Sequence, residues 1–274
     1  MIEIPKGRYC DLPLSWVDGC TPCSPGCDHC WSAGITHRFS KDRMIGPGYD
    51  DPLTYATGGF TGKIITHPDR LSIPLKRRKP TVYALWNDLF HEAVPIEFQS
   101  EAYRIMAQAY QHTFLILTKR PQIMLDRLSL NSDRLDKGNV WHGLTVCNQQ
   151  EADAKIPVFL QVPGKKFLSL EPLLGPVNLM GCLPIAKSDI RGTAYSPIGG
   201  PFIDAVILGG ETLGNKPGRE MKIEWAESLV DQCVTAGVPM FVKQMHINGR
   251  VSKDMAEWPE KLRRRELPWL KKDR

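Results

Sequence analysis

No stretch of the 274-residue sequence approaches the roughly 18 consecutive apolar residues of a membrane span. The first ten residues, MIEIPKGRYC, lack the apolar core of a secretory leader. A large excess of one charge sign is lacking as well. Lys and Arg number 35 against 30 Asp and Glu, a net +5, which suits an anionic small molecule or nucleic acid without demanding either. The phosphate-loop spacings GxxxxGKS/T and GxGxxG are missing, and there is no low-complexity tract. These absences lead us to expect a cytoplasmic globular protein. Its 42% hydrophobic content is enough for a sizeable core.

Cysteine is what the sequence has in one place. DGCTPCSPGCDHCWSAG, residues 18–34, sets Cys20, Cys23, Cys27 and Cys30 within eleven positions. Thiols stay reduced in the cytosol, so a metal centre is expected here rather than a disulfide framework. Cys23, Cys27 and Cys30 follow CxxxCxxC, and Cys20 offers the alternative register CxxxxxxCxxC. Three thiolates on one short loop can hold three irons of a [4Fe-4S] cube and leave the fourth open. Structural zinc commonly draws four ligands from two separated hairpins, and an electron-transfer cluster uses all four Cys. Spacing alone leaves these alternatives open. Cys10, Cys147, Cys182 and Cys233 stand apart and are expected to be packing residues.

From residue 80 on, strand-length apolar runs alternate with polar clusters and helix-like stretches. The runs are TVYALW (81–86), TFLILT (113–118), VWHGLTV (140–146), KFLSLE (166–171), DAVILGG (204–210) and VPMFVKQ (238–244). Residues 95–111 and 222–237 space apolar side chains as amphipathic helices do, with Gly237 at a C-cap position. Counting LSWV (14–17), about seven strands alternate with helices. The expected fold class is α/β, a complete or partial (β/α) barrel with parallel strands, as one domain over residues 1–274. Residues 36–80, rich in Gly, Pro and charge, are expected to be an insertion or substrate-binding element, and 180–203 a similar loop.

Active sites of such barrels lie at the carboxyl ends of the strands. The runs here end in Asn87, Asp88, His91 and Glu92; in Thr118, Lys119 and Arg120; in Thr145; in Glu171; in Gly209, Gly210 and Glu211; and in Lys243 and Gln244. Six polar strand ends on one rim point to a site. Lys119, Arg120 and Lys243 would converge as cations in need of an anionic partner. Asp88, His91 and Glu92 could also serve as acid, base or metal ligands of a hydrolase. The glycines of LGGET would let a ligand approach the backbone.

GCTPCSPGCDHCW, NDLFHEAVP, HTFLILTKRP, SLEPLLGPV, VILGGET and QCVTAGVPMFVKQ resemble, in order, the blocks of a largely uncharacterised phage and prophage family. That family is grouped with the radical S-adenosylmethionine (radical SAM) superfamily. Family members read GCTxxSxGCxxCY, which matches Cys20, Cys27 and Cys30. Cys23 stands where the family has another residue, and Trp31 replaces the tyrosine. The family register favours Cys20 as third ligand and the superfamily spacing favours Cys23; Cys20 is preferred.

The resemblance implies a radical SAM-like barrel holding a [4Fe-4S] cluster and S-adenosylmethionine (SAM). Cleavage of SAM would yield a 5′-deoxyadenosyl radical that abstracts a substrate hydrogen, in an isomerase, lyase or transferase reaction. A reductase or flavodoxin-like protein would supply the electron, and a nucleotide or DNA base would suit a phage enzyme that modifies DNA. Lys119, Arg120, Glu171 and Lys243 become candidate catalytic residues. Asn87, Asp88, Thr118, Thr145, Gly209, Gly210 and Glu211 become candidate cofactor contacts, Asn87 and Asp88 facing the SAM amino group. The basic runs KRRKP (76–80) and 261–274 would suit a nucleic-acid substrate; the competing reading is a zinc-stabilised nucleic-acid-binding protein without catalysis.

Overall fold

The computed structural model describes residues 7–40, 53–130, 138–184, 187–188, 194–195 and 200–269. The expected first strand at 14–17 is divided in two. β1 (Leu12–Leu14) enters the main sheet, whereas β2 (Val17–Asp18) turns away to pair antiparallel with β3 (Ile65–Thr66). Between them Trp16 is buried, and its indole N–H donates to the Arg70 carbonyl at 3.0 Å. Helix α1 (Trp31–Ser40) follows the cysteine loop, and the short α2 (Ile73–Lys76) precedes β4 (Val82–Leu85).

The alternation is then regular: α3 (Ile96–Gln108), β5 (Thr113–Thr118), α4 (Pro121–Ser129), β6 (Val140–Thr145), α5 (Gln149–Phe159) and β7 (Lys165–Leu170). The small pairs β8 (Lys187–Ser188) with β9 (Ala194–Tyr195), and β11 (Thr212–Leu213) with β12 (Lys216–Pro217), flank β10 (Ala205–Gly209). The chain continues with α6 (Ile223–Ala236), β13 (Met240–Ile247) and β14 (Arg250–Ser252). Gly237 caps α6 in the left-handed conformation, φ +66°, which glycine adopts without a Cβ clash.

Seven strands pair in parallel in the order β1, β4, β5, β6, β7, β10, β13, and β14 adds an antiparallel edge. The protein is therefore α/β, with the arrangement of a partial (β/α) barrel. Successive strand residues point to opposite faces. One set packs outward under the helices, among them Phe114, Ile116, Leu144, Leu168, Leu208 and Val242. The other set, Val82, Leu115, Trp141, Phe167, Ala205, Ile207 and Phe241, fills the concave side and is closed by Trp269. Gly143 belongs to this second set because a Cβ there would lie 2.3 Å from the Phe167 ring.

The expected insertion at 36–80 starts inside α1 and contributes β3 and α2, while its PGYDDP stretch lies outside the described residues. Much of 180–203 and the chain after 269 also lie outside them. Lys76, Arg77, Arg78 and Lys79 are exposed just before β4, at the end of the sheet opposite the strand carboxyl termini. Among the described residues no helix is long and apolar enough to cross a membrane.

Candidate functional site

The cysteine loop leaves β2 through Gly19, whose φ of +90° and contact with the Lys63 carbonyl admit no side chain; a Cβ would sit 1.9 Å from that oxygen. A single 3-10 turn, Pro25–Cys27, is capped by Ser24, whose Oγ accepts from the Gly26 amide at 3.1 Å. Gly26 lies directly on the buried thiol of Cys147, where a Cβ would come within 2.4 Å of Sγ. Cys147 is thus the packing residue expected, placed under the loop. Burial first, and then the neighbouring Glu151, push its thiol up to about 12. Cys182 and Cys233 are buried as well, and Cys10 is half-buried against the concave-side cluster.

Two arginines hold the loop, each anchored by carboxylates. Arg120, at the end of β5, is buried. Its Nη2 donates to the Thr21 carbonyl (2.9 Å), its Nη1 to Asp88 (2.9 Å), and its Nε to both oxygens of Glu92 (2.9 and 2.8 Å). The same Nη1 lies 3.9 Å from the Cys20 sulfur. His91 helps: its Nδ1 accepts from the Ala93 amide (3.1 Å), so its Nε2 donates to Thr21 Oγ1 (2.9 Å). Burial, and then Arg120, hold the His91 pKa below the usual range, consistent with this neutral ring. On the other side, Arg219 donates to the Pro25 carbonyl (2.8 Å) and to Asp28 (2.9 Å), and is held by Glu211. Glu211 also pairs with His29 Nδ1 at 3.0 Å.

Residues that sequence reasoning grouped as cofactor contacts are largely engaged with the protein. Asn87 accepts from Ser32 Oγ (2.7 Å) and donates to the Val17 carbonyl (3.0 Å); Asp88 accepts from Arg120 and from the Phe90 amide (3.0 Å). Thr118 accepts from the Arg120 amide (3.0 Å), and Thr145 is buried in β6. The space above Gly210 is filled by the His246 ring, 2.6 Å from where a Cβ would stand; above Gly209 lie Gln244 and Glu171, at 3.1 and 3.4 Å. Both glycines therefore make room for side chains of this protein. Of the three cations expected to converge, Arg120 and Lys243 already have carboxylate partners. Burial opposes the charge on Lys119, but the sulfurs of Cys27, Cys147, Cys30 and Cys23 outweigh it and raise its pKa.

A cleft of about 930 Å³ opens at the carboxyl ends of the strands. Cys20, Cys27 and Cys30 line one wall, Glu171, Lys243 and Gln244 also line it, and α1, residues 57–60, residues 212–215 and Val251 complete it. The exposed Cys23 is not part of the lining. Its neighbouring thiol is the largest cause of a Cys27 pKa well below the usual thiol range. β13 brings both Lys243 and Gln244 to the cleft through a bulge: Leu208 pairs with Val242 and Gly209 with Gln244, so Lys243 is the extra residue. Lys243 Nζ donates to both Glu171 oxygens (2.7 and 3.0 Å), and Gln244 Nε2 to Glu171 (2.7 Å) and the Gly210 carbonyl (2.9 Å).

Among the described residues no three Cys, His, Asp or Glu side chains converge as they would on a single ion. Three thiols lining one cleft are a donor set that an iron-sulfur cluster could use, since separate irons take separate thiolates. The residues present fit that group.

Sequence reasoning missed Arg219. It lies 191 positions from its partner Asp28, in a stretch without periodicity, and only its pairing with Glu211 in space reveals it.

The Glu211–Arg219 pair carries a pH prediction. Burial alone would raise the Glu211 pKa, but Arg219 and His29 reverse this and hold it at about 2. A depressed carboxylate contributes stability above its unfolded-state value of about 4.3 and loses it as pH falls toward the folded value. Arg219→Gln should therefore flatten the acid limb of an unfolding-stability profile between those two values and leave the neutral-to-alkaline slope unchanged. An acid limb identical to wild type would show that the pair does not couple to folding.

No curated protein and no solved structure matches the chain. The model of one protein family, DUF5131, described as proteins of unknown function, matches residues 6–267. That span takes in the cysteine loop, both arginine clamps and all eight strands of the sheet, and the chain belongs to the DUF5131 family.

Proposed function

We propose that this chain is a radical SAM-type enzyme, with Cys20, Cys27 and Cys30 as ligands of a [4Fe-4S] cluster. The observation that carries the reading is the placement of these three thiols along one wall of the cleft at the strand carboxyl ends, with Cys23 outside it. Bound there, the cluster and SAM would supply reductive, radical-forming cleavage of the sulfonium.

The chain's own contribution is positional and electrostatic. Arg120 and Arg219 fix the loop backbone at Thr21 and Pro25, so the thiols are held in place by hydrogen bonds to main-chain carbonyls. Lys119 offers positive charge beside the sulfurs, which favours their thiolate forms. The cleft, at about 930 Å³, lies within the range of about 300–1,000 Å³ for small-molecule sites.

The test is anaerobic reconstitution with iron and sulfide, reduction with dithionite in the presence of SAM, and chromatography of the products. 5′-Deoxyadenosine and methionine formed in equal amounts are the expected result. Stoichiometric zinc with no iron after anaerobic expression, or an iron-loaded protein that leaves SAM intact, would overturn the reading.

A further inference from the structure

We infer that the cleft holds a nucleotide site running along α1 away from the cysteine loop, reading a planar base at Trp31 and the floor, and its phosphate at Arg38 and Lys253. The inference rests on the radical SAM reading for its chemical purpose, but not for its geometry. Trp31, Ile35 and Arg38 stand at positions i, i+4 and i+7 of α1 and all line the cleft.

Trp31 leaves 53% of its surface exposed, although a tryptophan is highly buried on average. It is buttressed edge-on by Trp86, with ring centroids 4.9 Å apart. Trp86 is in turn fixed by its indole N–H to Ser32 Oγ (2.6 Å), and Ser32 by Asn87. The strand-end Asn87 thus serves a rigid aromatic platform, the feature that stacks a base without regard to its sequence context.

The floor carries the second observation. Gln244 is 1% exposed, and its Oε1 is buried without a hydrogen-bond partner. The amide cannot be turned over to relieve this, because its Nε2 faces two acceptors, Glu171 and the Gly210 carbonyl. That oxygen is closed off from the cleft, so Gln244 contributes by fixing Glu171, whose carboxylate lines the cleft. Glu171 offers acceptor oxygens there and Lys243 a donor beside them. Acceptors and a donor along one floor match the edge of a nucleobase.

The third observation is charge. The acids lining the cleft are already neutralised, Asp28 by Arg219 and Glu171 by Lys243. Arg38 and Lys253 line it exposed, and among the described residues neither has a carboxylate partner. Seven residues of helix set Trp31 and Arg38 about 10 Å apart along the axis, and the Arg38 side chain has the reach to shorten that to the span of base and 5′-phosphate. A guanidinium recognises phosphate through paired N–H groups.

The experiment titrates the full chain, as purified and again after reconstitution with SAM present, against the four 2′-deoxynucleoside 5′-monophosphates. The matching nucleosides, inorganic phosphate and a short single-stranded oligodeoxynucleotide complete the panel. Calorimetry and tryptophan fluorescence are the readouts. At least one nucleotide should bind tenfold or more tightly than its nucleoside and than phosphate, and quench the fluorescence. Arg38→Gln with Lys253→Gln should erase that advantage while leaving nucleoside binding, and Trp31→Ala should remove the quench. Tighter binding of the oligonucleotide than of any monomer would assign the nucleotide to a strand; the reverse would assign it to a free pool.

Nucleotides that bind no better than phosphate, or binding unchanged in both variants, would overturn the inference. Iron content and 5′-deoxyadenosine are measured on the same samples. SAM cleavage without nucleotide binding then sinks this inference alone, and nucleotide binding by a protein that never takes up iron sinks the enzymatic reading alone.

Discussion

Cys27→Ala and Cys30→Ala should each abolish iron-sulfur incorporation and, with it, SAM cleavage, while leaving the circular-dichroism spectrum and unfolding midpoint close to wild type. Each residue would hold a separate iron, and a neighbouring side chain cannot replace it without moving the loop. The fold should survive because the loop is fixed by Arg120 at Thr21 and Arg219 at Pro25, neither of which bonds to Cys27 or Cys30. Cys20→Ala and Cys23→Ala separate the two registers. Cys20 lines the cleft and Cys23 does not, so Cys20→Ala should lose the cluster and Cys23→Ala should keep most of its iron. Iron and sulfide analysis with electron paramagnetic resonance of the reduced protein reads all four variants. Loss in Cys23→Ala with retention in Cys20→Ala would move the third ligand to Cys23.

The parallel sheet was legible because buried parallel strands are continuous apolar runs, such as TFLILT and DAVILGG, that no other element of this length produces. The rim was legible in the same way, since polar residues stop those runs at one end. The function of each rim residue was not. NDLFHE reads equally as acid, base or metal ligand, and only the fold shows Asp88 and Glu92 on Arg120 and His91 on Thr21. Lys243 and Gln244 illustrate a different limit. Strict alternation would aim neighbouring residues at opposite faces, and the bulge that brings both to the cleft leaves no mark in the sequence. The platform under Trp31 depends on Trp86, 55 positions later, and the two indoles meet only when α1 crosses the end of β4.

Arg120→Met should destabilise the protein by about 3–5 kcal/mol, the range for removing one partner of a buried ion pair. The Asp88 side chain is 8% exposed, so its charge would stay in the interior with only the Phe90 amide to bond. Glu92 is 60% exposed, so water replaces Arg120 there at little cost. The Thr21 carbonyl would lose its donor as well. Arg120→Lys should recover only part of the loss, because one ammonium cannot reach Asp88, Glu92 and the Thr21 carbonyl together as the planar guanidinium does. Arg120→Met with Asp88→Asn should regain most of it: the buried charge is gone, while an amide oxygen can still accept from Phe90. Urea unfolding followed by circular dichroism measures all three. The double variant also asks a second question. With stability restored but the Arg120–Thr21 clamp absent, the Cys20 end of the loop keeps only the His91 hydrogen bond to Thr21 Oγ1, while the Cys27 and Cys30 end stays fixed by Arg219. Iron uptake in that variant should therefore be weaker than wild type even though folding is not. If Arg120→Met alone falls within about 1 kcal/mol of wild type, the buried pair is not what holds this corner of the fold. If the double variant takes up iron normally, Arg120 stabilises the protein without positioning its cysteines.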